Sequence, residues 1–141
     1  MRIIYNKQVK FNYFIIKELE AGIVLEGNEV KSIRNKNISI KESFCKIINN
    51  EIWLFQANIS RYKQANTFNI INETRERKLL LKRNEINKLQ KEIKEKNYTI
   101  VPLEIYFKKN KCKIKICLVK GKKNYDKRHT IKDRDLKRKE D

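Results

Sequence analysis

Three glycines and a single proline leave this chain of 141 residues nearly without the usual turn formers, and it has one histidine, one tryptophan and three cysteines. Each scarcity removes a class of function. Gly22, Gly27 and Gly121 are too scattered to cradle a phosphate, and neither GxxxxGK[ST] nor GxGxxG occurs. HExxH is missing too, and His129 lies in a polar C-terminal stretch, where a general base finds neither a fixed partner nor a sheltered site. Glu18 and Glu20 would share a strand face, but nothing else marks them as a catalytic pair. Cys45, Cys112 and Cys117 form no CxxC, and the last two, five positions apart, point to opposite faces of a regular strand. This argues for buried or half-buried thiols in a reducing compartment rather than a zinc site or a disulfide framework. No apolar run approaches the roughly 20 residues of a membrane span, and the opening MRIIYNKQVKFNYF has no signal-peptide pattern. The residues point to a soluble cytoplasmic protein that is not an enzyme and needs no metal or cofactor.

Positive charge, by contrast, is plentiful: 35 lysines and arginines against 17 carboxylates give a net charge of +18. So small a chain repels itself unless a polyanion neutralises it, with nucleic acid the first candidate and an anionic membrane surface the second. Residues 120–141 hold ten basic and five acidic side chains, a net of +5, which leaves +13 of the +18 to the preceding 119 residues. The body is therefore basic as well as the tail. The richness in Ile, Lys and Asn points to an AT-rich coding sequence, which also raises the lysine count, so charge alone does not decide the partner.

The pattern along the chain reads as mainly β. Residues 9–20 read as a strand, Ala21-Gly22 as a bend and residues 23–25 as a second short strand. Gly27 and Asn28 suit a turn and a helix cap before a short helix, EVKSIR, whose Val30 and Ile33 face the core together. Residues 43–48 and 51–59 flank Asn49-Asn50, a pair that tolerates positive φ and suits a tight hairpin. Residues 60–77 read as a long loop, which in a compact domain is usually functional. In residues 84–97, capped by Asn84, Ile86, Leu89 and Ile93 form one helical stripe. Residues 99–107 form a strand in which Pro102 marks an edge or a bulge. In 112–119, Cys112, Ile114, Ile116 and Leu118 take one face, and Lys111, Lys113 and Lys115 line the outer one. The sum is about six strands and two helices, which suits an antiparallel β-barrel of the oligonucleotide-binding (OB) type with flanking α-helices. That domain covers residues 1–119. Beyond it Tyr125, Ile131 and Leu136 define no stripe, so residues 120–141 are expected to be disordered when free and helical only once their charge is neutralised.

RNA binding needs cations for phosphates and flat groups for bases. Candidates gather in three places: Asn6, Lys7, Lys10 and Tyr13; Lys31, Arg34 and Lys36 with Arg75, Arg77 and Lys78; and Lys120, Lys122, Lys123, Lys127 and Arg128. Any one lysine is more often a plain solvated charge. Tyr13, Trp53 and Phe55 also read as core packing, Trp53 above all.

The same residues carry a family resemblance. Asn6-Lys7 with Tyr13-Phe14-Ile15, EAGIVLxGxEVKSxR from Glu20 to Arg34, EIWLFxANI, TRERKLLL, VPLEIYFKK and CKIKICLVKGKKNYDKR are similar to the SmpB family, in its order, over about residues 6 to 134. The resemblance implies an OB-like barrel that binds the tRNA-like domain of transfer-messenger RNA (tmRNA), in place of a missing anticodon arm. It implies delivery to the vacant A site of a stalled ribosome for trans-translation. The barrel would lie near the decoding centre of the small subunit and the tail in the empty mRNA channel. Elongation factor Tu would be met indirectly, through charged tmRNA, and a monomer is expected. By position, Asn6 and Glu29 match tmRNA-binding residues. A carboxylate such as Glu29 would act there by hydrogen bonding to a base edge or sugar, or by orienting a neighbouring cation; a helix-start carboxylate favoured by the dipole is the plainer account. Lys120, Gly121, Lys122 and Lys123 match the basic tract at the barrel exit. Asp126, Lys127 and Arg128 match the tail motif, and Tyr125 suits stacking on a decoding-centre base; Arg134 lies in the same ribosome-contacting tail. The tail reaches Asp141, earlier than is usual in the family, and ends in Glu140-Asp141, which implies weaker docking in the channel. A general OB-fold single-strand RNA-binding or ribosomal protein is the alternative that charge and pattern alone would also fit.

Overall fold

The computed structural model describes residues 2–60 and 74–122. Its elements are β1 (Arg2–Tyr5), α1 (Gln8–Asn12), β2 (Tyr13–Ile23), α2 (Gly27–Arg34), β3 (Ile38–Ser39), β4 (Phe44–Ile48), β5 (Glu51–Phe55), β6 (Asn58–Ile59), β7 (Arg77–Leu80), α3 (Arg83–Lys96), β8 (Thr99–Lys108) and β9 (Lys111–Gly121). The antiparallel order β8-β4-β5-β7-β2-β9 closes on itself because β9 also pairs with β8, giving a ring of six strands with β1 added along β8. A ring removes the open edges that would otherwise invite pairing with another chain. The pair β3 and β6 forms a separate two-stranded ladder, Ile38 opposite Ile59. This is the mainly β fold with flanking helices that the sequence pattern calls for.

Local chemistry explains most of the turns. Asn49 and Asn50 take φ values of 52° and 63°, the left-handed pair of a two-residue hairpin, and Lys109-Asn110 repeats the device at 51° and 63°. In α3, Ile86 and Leu89 are buried and Ile93 packs beside them, while Asn97 ends the helix in the left-handed conformation at φ 57°. Pro102 sits at a bulge, the register against β9 shifting between Pro102 and Glu104. On its other side β8 pairs with β4 at Ile100 and with β1 from Glu104 to Tyr106, and Pro102 lies between the two ladders.

Several expectations change. Residues 8–12 are helical, not strand, with Val9 2% exposed against Val101, Leu103, Cys117 and Val119. The lysine-lined outer face of β9 is therefore apolar and covered from Cys117 to Val119. The bend at Ala21-Gly22 does not exist, since β2 runs straight through it. Gly22 lies opposite both Leu80 and Lys113, and a Cβ there would stand 3.3 Å from the Leu80 Cβ, so glycine permits close approach of β7 rather than a turn. The segment 51–59 is two strands, broken at Gln56 with φ 61°. Trp53 and Phe55 are not core: Ile52 and Leu54, each 0% exposed, take the inner face, and the aromatics are half-buried on the outer one. Finally, β9 continues through Lys120 and Gly121, paired with Phe14 and Tyr13, so these two residues are strand and not tail.

Candidate nucleic-acid interface

The β2–β9 ladder sets the geometry. Gly22 opposes Lys113 at one end and Tyr13 opposes Gly121 at the other; eight residues of β9 put about 25 Å between them. The first end carries α2 and the start of β7; the second carries α1 and the exit of the chain from β9.

At the α2 end a carboxylate organises the cations. Glu26 caps α2, and its N–H donates to Glu29 Oε1 at 2.9 Å in a capping box. Arg77 reaches Glu29 Oε2 through Nε at 2.8 Å and a terminal nitrogen at 2.6 Å, a two-nitrogen grip. Arg75 also pairs with Glu29. The Arg77 side chain is 0% exposed and donates from Nη1 to Ala57 O at 2.7 Å and Arg75 O at 3.0 Å. Burial would raise the Glu29 carboxyl, but the Glu26 N–H and the two guanidiniums outweigh it and hold the group below its ordinary value. Burial lowers the Arg77 guanidinium, with Glu29 opposing that shift. Glu29 thus holds two arginines and also completes the helix-start capping box of the plainer account, and Arg77 is an internal strut that presents no surface to a phosphate. Arg75 is 30% exposed and remains at the surface.

Around this network Lys31, Arg34 and Lys36 are exposed. The Arg34 guanidinium lies 4.3 Å from the Phe107 ring centroid, next to the β8–β9 turn. Lys78 lies 3.5 Å from Glu51 Oε1, a neutralised charge on the outer sheet face. Two exposed apolar side chains at this end carried no sequence signal: Leu80, 54% exposed, and Val24, 47%. Beside them Glu20 accepts from Tyr106 Oη at 2.5 Å and pairs with Lys108 at 3.7 Å. The Tyr106 hydrogen bond is the main reason the Glu20 carboxyl falls below its usual value.

Asn6, 6% exposed, lies part-way along the ladder, where its backbone N–H donates to Leu103 O at 2.7 Å. Its Nδ2 donates to Ile40 O at 3.2 Å and its Oδ1 accepts from Gln8 N–H at 3.1 Å, so it ties the head of α1 to the body. Lys7 and Lys10 are exposed on α1, and Tyr13, half-buried, ends that helix. Lys120 is exposed, and Lys122 holds its Nζ 5.0 Å from the ring of Phe14, a 44% exposed aromatic that sequence reasoning passed over. The structure therefore joins Tyr13 and the end of α1 to the third candidate cluster, at the far end of the β2–β9 ladder from α2, and leaves Asn6 between the two. Lys123, Tyr125, Asp126, Lys127, Arg128 and Arg134 lie outside the described residues.

The thiols are free: burial pushes Cys117 up to about 12 and Cys112 to about 11, so neither is a thiolate at neutral pH. Among the described residues no three of His, Cys, Asp and Glu come together as metal ligands.

A closed antiparallel ring bearing exposed cations at two ends, with Arg34 over a ring at one and Lys122 over a ring at the other, defines a small basic β protein of the nucleic-acid-binding class. The family model described as SmpB protein matches residues 3–141, and the chain belongs to the SmpB family. It is similar to the SsrA-binding protein of Mycoplasma mycoides subsp. mycoides SC, 50% identical over 138 residues that cover 98% of this chain and 93% of the relative. The SsrA-binding protein of Ehrlichia ruminantium (strain Gardel) is 54% identical over 137 residues, covering 96% and 92%. A solved chain described as "tmRNA-SmpB: a journey to the center of the bacterial ribosome" superposes with a TM-score of 0.70 at 34% identity, over 86% of this chain and 85% of that one.

Proposed function

We propose that this protein binds tmRNA and works with it on the ribosome in trans-translation, the α2 end taking the tRNA-like domain and the exit end turning toward the small subunit. Membership of the SmpB family over residues 3–141 supports the partner. The observation that carries the division is the separation of two cationic regions by the length of β9.

The chemistry of the α2 end suits a folded RNA. Lys31, Arg34 and Arg75 offer cations whose positions are fixed by Glu29, by α2 and by the Phe107 ring, so little side-chain entropy is lost on contact. Leu80 and Val24 give an apolar surface beside them for a sugar or a base face. Glu29 acts there, and Asn6 at the head of α1, by positioning other groups rather than by touching RNA. Lys36, Lys120 and Lys122 add phosphate contacts, with Lys7 and Lys10 on α1 at the exit end. In the cytoplasm the complex enters the vacant A site of a stalled ribosome, carried with charged tmRNA and elongation factor Tu, and residues 123–141 run into the mRNA channel. The protein itself acts as a monomer and catalyses nothing.

The test is competition at fixed salt, because phosphate-driven affinity changes steeply with ionic strength. Labelled tRNA-like domain is challenged with excess ordinary tRNA. Failure of tRNA to displace it supports specific tmRNA binding; equal competition would leave a general RNA-binding protein.

A further inference from the structure

The ring has its shortest paired seam between β4 and β8, which share a single residue pair, Cys45 opposite Ile100. Over that seam lies a groove of about 670 Å³, walled by β4, the start of β8 and the last turns of α3. This is the size of a cleft that takes one small planar ligand. Tyr13, Phe44 and Tyr98 line it with aromatic surface, and Ile93 adds aliphatic surface. Its charged lining groups are Lys46 and Lys94; no carboxylate is among them. Gln90 and Thr99 supply hydrogen-bond donors and acceptors. One wall is stiffened from behind: Phe44 stacks on Phe55 at 5.4 Å with 5° between the ring planes. The Lys46 amine stands 5.4 Å from the Phe44 centroid and 6.0 Å from that of Phe55.

Aromatic walls, two cations and an adaptable amide are what an unpaired nucleotide needs: stacking for the base, charge for the phosphate and a partner for the base edge. We infer that this groove is a second RNA contact, which takes an unpaired base of a single-stranded segment. Stacking between Tyr98 and Phe44 holds the base, while Lys46 and Lys94 meet the flanking phosphates. Gln90 can donate and accept, so the site tolerates any base and reads strandedness rather than sequence. The inference goes beyond the tRNA-like-domain reading and rests on it only in taking RNA as the polyanion. None of the groove residues named here belongs to the α2 end.

The experiment uses the full chain and an unstructured RNA of about eight nucleotides, fluorescently labelled, in a low-salt buffer. A version carrying 4-thiouridine is photo-crosslinked and the attachment sites are mapped. Crosslinks are expected at Tyr98, Phe44 or Tyr13. Tyr98→Ala and, separately, Lys94→Glu should each weaken the oligomer about tenfold, while the tRNA-like domain binds either variant within about twofold of the parent. Lys94 is exposed on α3, so its replacement leaves the core intact if Tyr98→Ala misfolds by circular dichroism. Unchanged oligomer affinity in Lys94→Glu, crosslinks confined to residues outside the groove, no oligomer binding, or a parallel loss of the tRNA-like domain would each overturn the inference. A parent chain that crosslinks the oligomer in the groove but does not prefer the tRNA-like domain over tRNA would instead remove the tmRNA reading and leave the groove standing.

Discussion

The two ends of the β2–β9 ladder use positive charge in opposite ways. At the α2 end the charge is built in: Glu29 is 4% exposed and grips Arg77, which is 0% exposed and anchored on two carbonyls. At the exit end Lys10 and Lys120 stand in solvent and Lys122 is half-buried, with Lys122 over Phe14 and Lys10 over Tyr5 at 5.9 Å. Buried pairs hold geometry at the cost of desolvation, whereas exposed lysines hold little geometry and respond fully to salt. The first arrangement suits recognition of a folded shape, the second attraction of a polyanion whose form is not fixed in advance.

The largest expected break in that contrast is Arg77→Ala. It strands the Glu29 carboxylate with one arginine and one backbone N–H, and should cost about 3 kcal/mol in chemical denaturation. Lys120→Ala at the other end should cost under about 0.5 kcal/mol. Next, Lys31→Glu with Arg34→Glu should lower tRNA-like-domain affinity at least about tenfold and reduce the salt slope by about two, as each lost phosphate contact removes about 0.9. A smaller effect follows from the Glu29 pKa. Its carboxyl is held down in the folded state, so its contribution to stability is complete above the unfolded value of about 4.3 and is lost as pH falls through the lower folded value. Acid titration of stability should therefore be flatter in Glu29→Gln than in the parent, although that variant starts less stable; an equal slope would remove Glu29 as the acid-sensitive group. Gly22→Ala, at about 1 kcal/mol, lies above only the Lys120→Ala comparison, because the new Cβ would stand 3.3 Å from the Leu80 Cβ and β7 must give slightly.

What was legible in the sequence was local. The Asn49-Asn50 hairpin, the stripe of α3 and the inward face of Ile114, Ile116 and Leu118 each rest on spacing of a few residues. Features set by distant partners were not. Arg77 reads as a surface cation because the carboxylate that lets it be buried lies 48 residues away. Gly22 reads as a bend because nothing local announces that β7 will pass so close. Helix α1 has five residues and one buried side chain, too few to show a period. Trp53 and Phe55 sit in an unbroken apolar run, where alternation disappears and the aromatic looks like the natural core residue, although the aliphatic Ile52 and Leu54 fill the ring. Of the candidate cations, those at the surface followed from composition, but which of them share an end needed the register of β2 against β9.

The claim that the α2 end and the segment leaving the exit end do different work is tested most directly by a chain ending at Lys122, which keeps Lys120 and Gly121 in the β9 ladder. It is assayed beside the Lys31→Glu, Arg34→Glu double variant for affinity to the tRNA-like domain and for tagging on stalled ribosomes. The account predicts that the shortened chain binds the tRNA-like domain within about twofold of the parent yet supports no tagging, while the double variant loses binding and tagging together. A shortened chain that tags as well as the parent, or one that loses the tRNA-like domain as the double variant does, would contradict it.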